Sequence, residues 1–250
     1  MTCTKHSRVR YLLVFLLFSL LFGTVLSALI AWSIRAFRMP PADDTSASPS
    51  RPIIILDAGH GGEDGGAVGD HGVLEKDINL KITQTLNDML RAAGYETVMT
   101  RTDDRMLYDP TTDYQGRKKR LDLEARLAIA DSYENAVFVS IHLNAFPQSQ
   151  YHGLQVYYSE NDPDSARLAE QIQADAKSLL IPDNNRKIKP SNGTSYLLEH
   201  CSHPSILIEC GFLSNPEECE RLATESYQKS LATVFFCSLT NFLENENKTP

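Results

Sequence analysis

The sequence contains 250 residues, 42% of them hydrophobic, which is enough to bury a sizeable core in one or two domains. Acidic residues outnumber basic ones by 32 to 24, and the formal net charge is −8. Several of the basic residues flank an apolar N-terminal segment, so the remainder of the chain is more acidic still. This charge argues against nucleic acids and anionic lipid surfaces as partners.

The N-terminus predicts export. Residues 11–32 contain no charged side chain, and basic residues lie on both sides of them. Because about 20 apolar residues span a bilayer, we interpret this segment as an uncleaved transmembrane anchor behind a basic cytoplasmic tail, residues 1–10. A cleaved signal peptide is the alternative, with a weak cleavage site at residues 25–27. Both interpretations place the rest of the chain outside the cytoplasm.

Residues 33–51 form a polar, proline-containing linker, and the domain at residues 52–245 begins directly after it. Its first residues, Ile53–Leu56, are all apolar and predict a strand that is buried on both faces. A glycine-rich loop then presents His60, and Glu75 opens a helical pattern further along the chain. An imidazole and a carboxylate placed in this way indicate a site at the carboxyl edge of an α/β sheet.

The next elements predict a β-α-β unit. A helix with one apolar face follows Glu75 and stops at Gly94, and residues 95–100 form a strand, so the two strands are expected to be parallel. Residues 101–120 are polar and charged and predict a long loop, which in a compact domain is usually functional or mobile. A helix is predicted at residues 121–131.

Two further apolar strands end in ionisable residues. Residues 136–141 lead into His142, and residues 206–208 lead into Glu209. The other predicted elements are strands at residues 153–158 and 196–198, helices at residues 164–180 and 227–242, a helix start at residues 214–216, and a tail at residues 246–250. Strands that alternate with helices in this way are typical of an α/β domain.

The ionisable residues are expected to converge, because the carboxyl ends of parallel strands share one edge of a sheet. A lone histidine at a strand end is usually structural, and a lone acid in a first helical turn is usually a cap. Together, however, two imidazoles and one carboxylate match a three-ligand zinc site that keeps a position open for water. A second carboxylate can then transfer protons. Spacing alone does not decide which of Glu75 and Glu209 has which role.

Three motifs resemble the zinc-dependent N-acetylmuramoyl-L-alanine amidases of bacterial cell-wall turnover. They are Asp-Ala-Gly-His-Gly-Gly-Glu-Asp-Gly-Gly-Ala at residues 57–67, Ser-Ile-His-Leu-Asn-Ala at residues 140–145, and Ile-Glu-Cys-Gly-Phe-Leu-Ser-Asn at residues 208–215. The resemblance covers about residues 53–245. It implies one Zn²⁺ per chain, with His60, Glu75 and His142 as ligands and Glu209 as the catalytic carboxylate. It also implies a single three-layer α/β domain, in which helices flank a twisted, mostly parallel sheet.

The resemblance extends to substrate contacts and to a subfamily. Arg126, in a helix that the family carries, and Asn144 are the expected substrate-binding residues. The segment at residues 114–123, the N-terminal anchor and the absence of wall-binding repeats resemble the CwlD-type amidases, which act on the cortex of endospores. This resemblance implies hydrolysis of the amide between N-acetylmuramic acid and L-alanine, on the way to muramic-δ-lactam.

Three alternatives remain open. The first is a vegetative cell-wall amidase in cell separation or turnover. The second is a non-catalytic peptidoglycan-binding protein, and the third is a zinc peptidase that cuts within the stem peptide. In every case the expected partner is peptidoglycan, with its glycan strands and stem peptides. Residues 101–120 could gate the site or dock an activating protein. We expect the chain to be membrane-anchored and to face the cell wall or the space around the forespore.

Four cysteines follow the N-terminal segment, namely Cys201, Cys210, Cys219 and Cys237. An exported protein permits disulfides, but their spacing does not match a zinc ribbon and nothing indicates a pairing. Buried free thiols are the expected state.

Overall fold

The computed structural model describes residues 22–24, 51–109, 111 and 115–246. The predicted cytoplasmic tail, nearly all of the apolar segment at residues 11–32 and nearly all of the linker at residues 33–51 lie outside these ranges, as does most of the predicted C-terminal tail. Among the described residues, no helix combines the length and the apolar character that crossing a membrane requires.

Six strands form one mixed sheet in the described part of the chain. They are β1 (Ile53–Ala58), β2 (Thr97–Met99), β3 (Ala136–Asn144), β4 (Gln155–Tyr158), β5 (Lys189–Pro190) and β6 (Ser205–Phe212). Their order across the sheet is β2-β1-β3-β6-β4-β5. Strand β4 pairs with β6 antiparallel, and the other pairs are parallel. Because β1, β3 and β6 are adjacent and parallel, their carboxyl ends lie side by side.

Helices cover both faces of this sheet. They are α1 (Glu75–Ala92), α2 (Lys118–Asp131), α3 (Pro163–Leu179), α4 (Tyr196–His200), α5 (Pro216–Leu222) and α6 (Glu225–Glu246). Helices α1, α3, α5 and α6 contribute to a large apolar core on one face, whereas α2 and α4 form a smaller core on the other. The sheet is therefore the middle of three layers.

The period of two along a strand assigns each side chain to one of these unequal faces. Leu56 of β1 packs into the large core, whereas Ile55 and Phe138 pack into the small one. His142 follows Phe138 by four residues in β3 and is paired directly with Glu209 of β6. Both ionisable side chains therefore lie on the face that α2 and α4 cover only thinly.

The predicted single α/β domain with a mostly parallel sheet is confirmed. Strand β5 and the first turn of α2 lie where no regular element was predicted, and two further differences concern the site. Strands β3 and β6 run on to Asn144 and Phe212, so the predicted site residues lie inside the strands rather than after them. Residues 196–198, predicted as a strand, belong to helix α4 instead. The side chain of Ser195 accepts a hydrogen bond from Leu198 N and so caps this helix.

The four cysteines predicted to be free thiols are free in the structure. Cys201, Cys210 and Cys219 are buried, and Cys237 is half-buried. They therefore pack as small apolar side chains, as the sequence predicts.

Candidate active site and metal centre

The three predicted metal ligands come from three elements and meet at the carboxyl edge of the sheet. His60 lies in the loop after β1, Glu75 is the first residue of α1, and His142 lies in β3. Glu75 Oε1 is 3.2 Å from His60 Nε2 and 3.0 Å from His142 Nδ1. Tetrahedral zinc with bonds of about 2.0–2.1 Å has neighbouring ligand atoms roughly 3.3 Å apart. The donor set and its spacing therefore fit a zinc ion.

Two glycines allow these side chains to come so close to the backbone. A Cβ atom on Gly59 would overlap the imidazole of His142, and one on Gly66 would overlap the carboxylate of Glu75 and the ring of His60. Gly66 also has a φ of 68°, in the left-handed region that favours glycine. His60 itself takes a φ of 62°, which is uncommon for a residue with a side chain. The glycine-rich loop is thus needed to pack the ligands together.

Glu75 is held as a carboxylate anion. It is 3% exposed and accepts hydrogen bonds from Ala67 N at 2.8 Å, Leu143 N at 2.9 Å and Asn79 Nδ2 at 3.2 Å. Burial alone would raise its pKa, but the two neighbouring imidazoles outweigh burial, so the pKa of Glu75 lies well below its usual value. Fixed donors of this kind orient a metal ligand.

Asp64 supports His60 at the other ring nitrogen. Its Oδ2 atom lies 2.9 Å from His60 Nδ1, at ion-pair distance although without hydrogen-bond alignment. Carboxylates commonly contact the second nitrogen of a zinc-bound imidazole in this way. Burial lowers the pKa of His60, but Asp64 and Glu75 outweigh burial and raise that pKa to about 9. The site therefore carries an excess of negative charge that favours a cation.

Two buried arginines hold the backbone that carries His60. Arg101 donates from Nε to the carbonyl of Ala58 at 2.8 Å and from Nη2 to that of Gly59 at 3.0 Å. Arg126 donates from Nη1 to the carbonyl of Ala58 at 2.8 Å and from Nη2 to that of His60 at 2.7 Å. Three consecutive carbonyls are thus fixed by guanidinium groups. We refer to Arg101 and Arg126 as the arginine clamp.

Two buried carboxylates compensate the positive charge of Arg126. It pairs with Asp57 at 2.6 Å and with Asp122 at 2.8 Å. Burial would raise the pKa of Asp57, but Arg126 and the hydroxyl groups of Ser140 and Thr100 together outweigh burial, and the pKa falls to about 2. All three guanidinium nitrogens of Arg126 donate to protein acceptors, and its side chain is 1% exposed. In the structure these donors position His60, although Arg126 also lines the cleft, and its contact with substrate stays a prediction.

Glu209 has the opposite environment. It is paired with His142 across β3 and β6, and its Oε2 atom is buried without a hydrogen-bond partner among the described residues. Burial raises the pKa of Glu209 to about 7, and the nearby His142 opposes this shift only in part. A carboxyl group with such a pKa can both accept and release a proton near neutral pH, as acid–base catalysis requires.

The site opens into a cleft of about 260 Å³ on the thinly covered face of the sheet. The cleft is lined by the loop after β1, by α2, by residues 194–197 and by strands β3 and β6, and Lys119 and Tyr196 are among its lining residues. Asn144, predicted to bind substrate, lies two residues beyond His142 and is half-buried. Its contact with substrate stays a prediction.

Sequence reasoning assigned no role to Asp57, Asp64 or Arg101. Asp57, like Glu209, directly follows a run of apolar residues, and a buried acid in that position needs compensation, so this signal could have identified it. Asp64 lies four residues after His60 within the first motif. Arg101 follows a short strand at the start of a polar loop, and nothing in its local sequence indicates that it is buried.

Comparison with known proteins places these features in a family. The family model for N-acetylmuramoyl-L-alanine amidases matches residues 54–241. The germination-specific N-acetylmuramoyl-L-alanine amidase of Bacillus subtilis (strain 168) is 35% identical over 201 residues, which make up 80% of this chain and 84% of that protein.

Solved structures of amidases share the fold. The CwlD amidase from Clostridioides difficile, solved in complex with the GerS lipoprotein, aligns with a TM-score of 0.73 and 41% identity, covering 78% of this chain and 99% of that one. The amidase AmiC2 of Nostoc punctiforme aligns with a TM-score of 0.67 and 30% identity, covering 78% of this chain and 98% of that one.

Proposed function

This chain belongs to the N-acetylmuramoyl-L-alanine amidase family and is a peptidoglycan amidase, and on that premise we propose that it is a zinc enzyme of the spore cortex. The reaction is hydrolysis of the amide between N-acetylmuramic acid and the L-alanine of the stem peptide. One observation supports the proposal that the chain is a zinc enzyme. His60, Glu75 and His142 converge on a common point, and beside them Glu209 has a buried carboxylate oxygen without a partner in the described residues.

The residues that would hold the metal are His60, Glu75 and His142, through Nε2, Oε1 and Nδ1. When bound there, zinc supplies Lewis-acid chemistry, which polarises the amide carbonyl and lowers the pKa of water toward about 7. Asp64 keeps the His60 ring oriented, and the arginine clamp keeps its backbone in place. The protein thus presents three fixed donors and leaves the cleft side open to substrate.

Glu209 transfers the proton. Its carboxylate accepts a proton from the attacking water and then donates it to the amine nitrogen of L-alanine as the C–N bond breaks. In the metal-free chain burial raises the pKa of Glu209 to about 7, so neither its protonated nor its ionised form is strongly favoured near neutral pH. Glu75, whose pKa is lowered, remains an anion throughout. Environments that separate the pKa values of two neighbouring carboxyl groups commonly separate their roles.

Mass spectrometry of digested peptidoglycan tests the reaction. We expect the products to be intact stem peptides with a free L-alanine N-terminus, together with glycan strands that no longer carry stem peptides. Shortened stem peptides would instead identify a peptidase. Unchanged peptidoglycan, with the zinc site occupied, would identify a binding protein or a requirement for an activating partner.

The cortex is the proposed substrate because this chain is similar to a germination-specific amidase and to CwlD. Removal of stem peptides there is a step toward muramic-δ-lactam. Muropeptides from spores of a strain that lacks the protein should therefore contain little or no muramic-δ-lactam. Normal lactam content together with impaired cell separation would favour a vegetative cell-wall role.

We also propose that residues 11–32 anchor the enzyme in a membrane, so that its catalytic domain faces the cell wall or the space around the forespore. The support is the uncharged run and its basic flanks. Membrane fractionation combined with the mass of the mature chain distinguishes an anchor from a cleaved signal. An anchored chain remains with the membrane at its full mass, whereas a cleaved one is released and shorter.

An activating protein partner is a further proposal. Its support is the likeness to a CwlD amidase that was solved in complex with a lipoprotein. The purified chain should then release stem peptides more slowly than the chain with its partner. Full activity of the purified chain alone would contradict the proposal.

A further inference from the structure

Two aromatic side chains are exposed near the metal centre, in the loop between β3 and β4. Phe146 is 48% exposed and Tyr151 is 42% exposed, and their ring centroids are 5.3 Å apart. Phe212, the last residue of β6, lies beneath them, 6.0 Å from Phe146 and 6.4 Å from Tyr151 between ring centroids. We refer to these three side chains as the aromatic platform.

The platform is fixed by hydrogen bonds. Phe146 N donates to Ser214 Oγ at 2.9 Å, which ties the loop to the segment after β6. The buried carboxylate of Glu218 accepts hydrogen bonds from Gly153 N at 3.0 Å and from Phe212 N at 2.8 Å. Exposed rings on a backbone that is already ordered lose little conformational entropy when a ligand binds. Exposed apolar surface of this kind commonly marks a binding site.

The platform lies close to the catalytic groups along two strands. Phe146 follows His142 by four residues, and Phe212 follows Glu209 by three. At roughly 3.3 Å per residue, the backbone separations are at most about 13 Å and about 10 Å. The β1 side of the cleft is different in character, because it carries the cation of Lys119, which is 67% exposed. The guanidinium of Arg186 lies 4.4 Å from the Phe212 ring centroid, but it is half-buried and already donates to His152 O and Gln155 Oε1. One side of the metal centre therefore presents two exposed rings, whereas the other presents an exposed cation.

We propose that the aromatic platform binds the glycan strand of peptidoglycan, an inference that rests on the proposed amidase function. The scissile bond joins a sugar to a peptide, so the two halves of the substrate extend from the metal centre in different directions. A sugar ring has an apolar C–H face and a polar edge, which match the ring faces of the platform and the hydroxyl of Tyr151. The stem peptide carries carboxylates and is better suited to the side with Lys119.

Kinetics on two substrates test the platform. One substrate is glycan strands with stem peptides, and the other is N-acetylmuramic acid with the same stem peptide and no further sugar. In the full-length Phe146→Ala/Tyr151→Ala double variant, the ratio of kcat/KM for the long substrate to that for the short one should fall about tenfold. Leu179→Ala removes a side chain from α3 that is 64% exposed, and it should leave this ratio unchanged.

A Phe146→Leu/Tyr151→Leu double variant keeps apolar area but removes the rings, so it should lower the same ratio. If both double variants retain their melting temperature and the wild-type ratio, the proposal is overturned and the platform is better assigned to a protein partner.

Binding to glycan strands stripped of stem peptides gives a second readout. Weaker binding by the double variants supports the proposal, and equal binding contradicts it. Since this binding needs no hydrolysis, failure of the platform is distinguishable from failure of the amidase function.

Discussion

Glu75 and Glu209 lie at the same edge of the sheet, yet their surroundings are opposite. Glu75 accepts three hydrogen bonds and lies beside two imidazoles, which lower its pKa. Glu209 has a buried oxygen with no hydrogen-bond partner in the described part of the chain, and burial raises its pKa to about 7. A carboxylate surrounded by donors is a lasting anion that suits a cation, whereas one that lacks them exchanges protons readily.

The two regions also differ in what holds them in place. The loop that carries His60 has no strand partner along most of its length, and the arginine clamp fixes its carbonyl groups instead. Glu209 lies inside β6, where the ladder with β3 and β4 fixes its backbone. A ligand on a loop therefore needs dedicated hydrogen bonds, whereas a group on a central strand is positioned by the sheet.

The largest effect is expected when a metal ligand is removed. His142→Ala deletes one of the three donors, so both the zinc content and the release of stem peptides should fall close to zero. Elemental analysis of the purified chain measures its zinc content, and mass spectrometry of digested peptidoglycan measures the release of stem peptides. The exposed His71 lies away from the site, and His71→Ala should retain both properties. Full zinc content in His142→Ala would contradict the assignment of His142 as a zinc ligand.

The second-largest effect distinguishes the roles of Glu75 and Glu209. Glu209→Gln should keep its zinc and lower kcat by about 10²- to 10⁴-fold, the range that a general acid–base catalyst contributes. Glu75→Gln makes the same chemical change on the other side of the site and should lose zinc as well as turnover. If both variants lost zinc to the same extent, the roles inferred from the two environments would be wrong.

A smaller effect is expected when the arginine clamp is altered. Arg126→Lys keeps the positive charge but cannot reach all the acceptors of the planar guanidinium, so zinc affinity should fall about 10- to 100-fold. Competition with a chelator, below the melting temperature of the variant, measures this affinity. Arg91→Lys changes an exposed arginine of α1 and is the matched control. A lower melting temperature with unchanged zinc affinity would limit the clamp to a role in fold stability.

The smallest effect is a pH dependence of stability in the metal-free protein. The pKa of Glu209 is raised from 4.5 to about 7, so between these values the folded chain keeps a proton that the unfolded chain has released. This group therefore favours the unfolded state increasingly as pH rises through that window. Glu209→Gln cannot ionise, and its stability relative to wild type should increase from pH 4.5 to pH 8 by up to about 3 kcal/mol.

Denaturant unfolding of the chelator-treated wild type and variant at the two pH values measures this difference. The same comparison for Glu124→Gln, an exposed acid on α2, is the matched control. A stability difference that does not vary with pH would mean that Glu209 titrates near its ordinary value in the folded chain.

Much of the site was predictable because its signals are local. An apolar run that ends in a histidine or an acid can be read within ten residues, as can the glycines after β1 and the start of a helix at Glu75. These patterns predicted the strands that carry His142 and Glu209 and the edge at which they meet. Residues 196–198 were mistaken for a strand because their apolar content is equally compatible with a short helix, here one that Ser195 caps.

By itself, the sequence determined that buried strands carry ionisable groups near their carboxyl ends and that glycine surrounds the first of these groups. Tertiary structure alone decided which glutamate is surrounded by donors and which is not, and that Arg126 pairs with Asp57, 69 residues away. Hydrogen-bond partners and burial determine the pKa values of the site residues. Both the partners and the burial depend on residues that are distant in the chain. Local sequence therefore carries the identities of the site residues, while their division of labour arises from the packing around them.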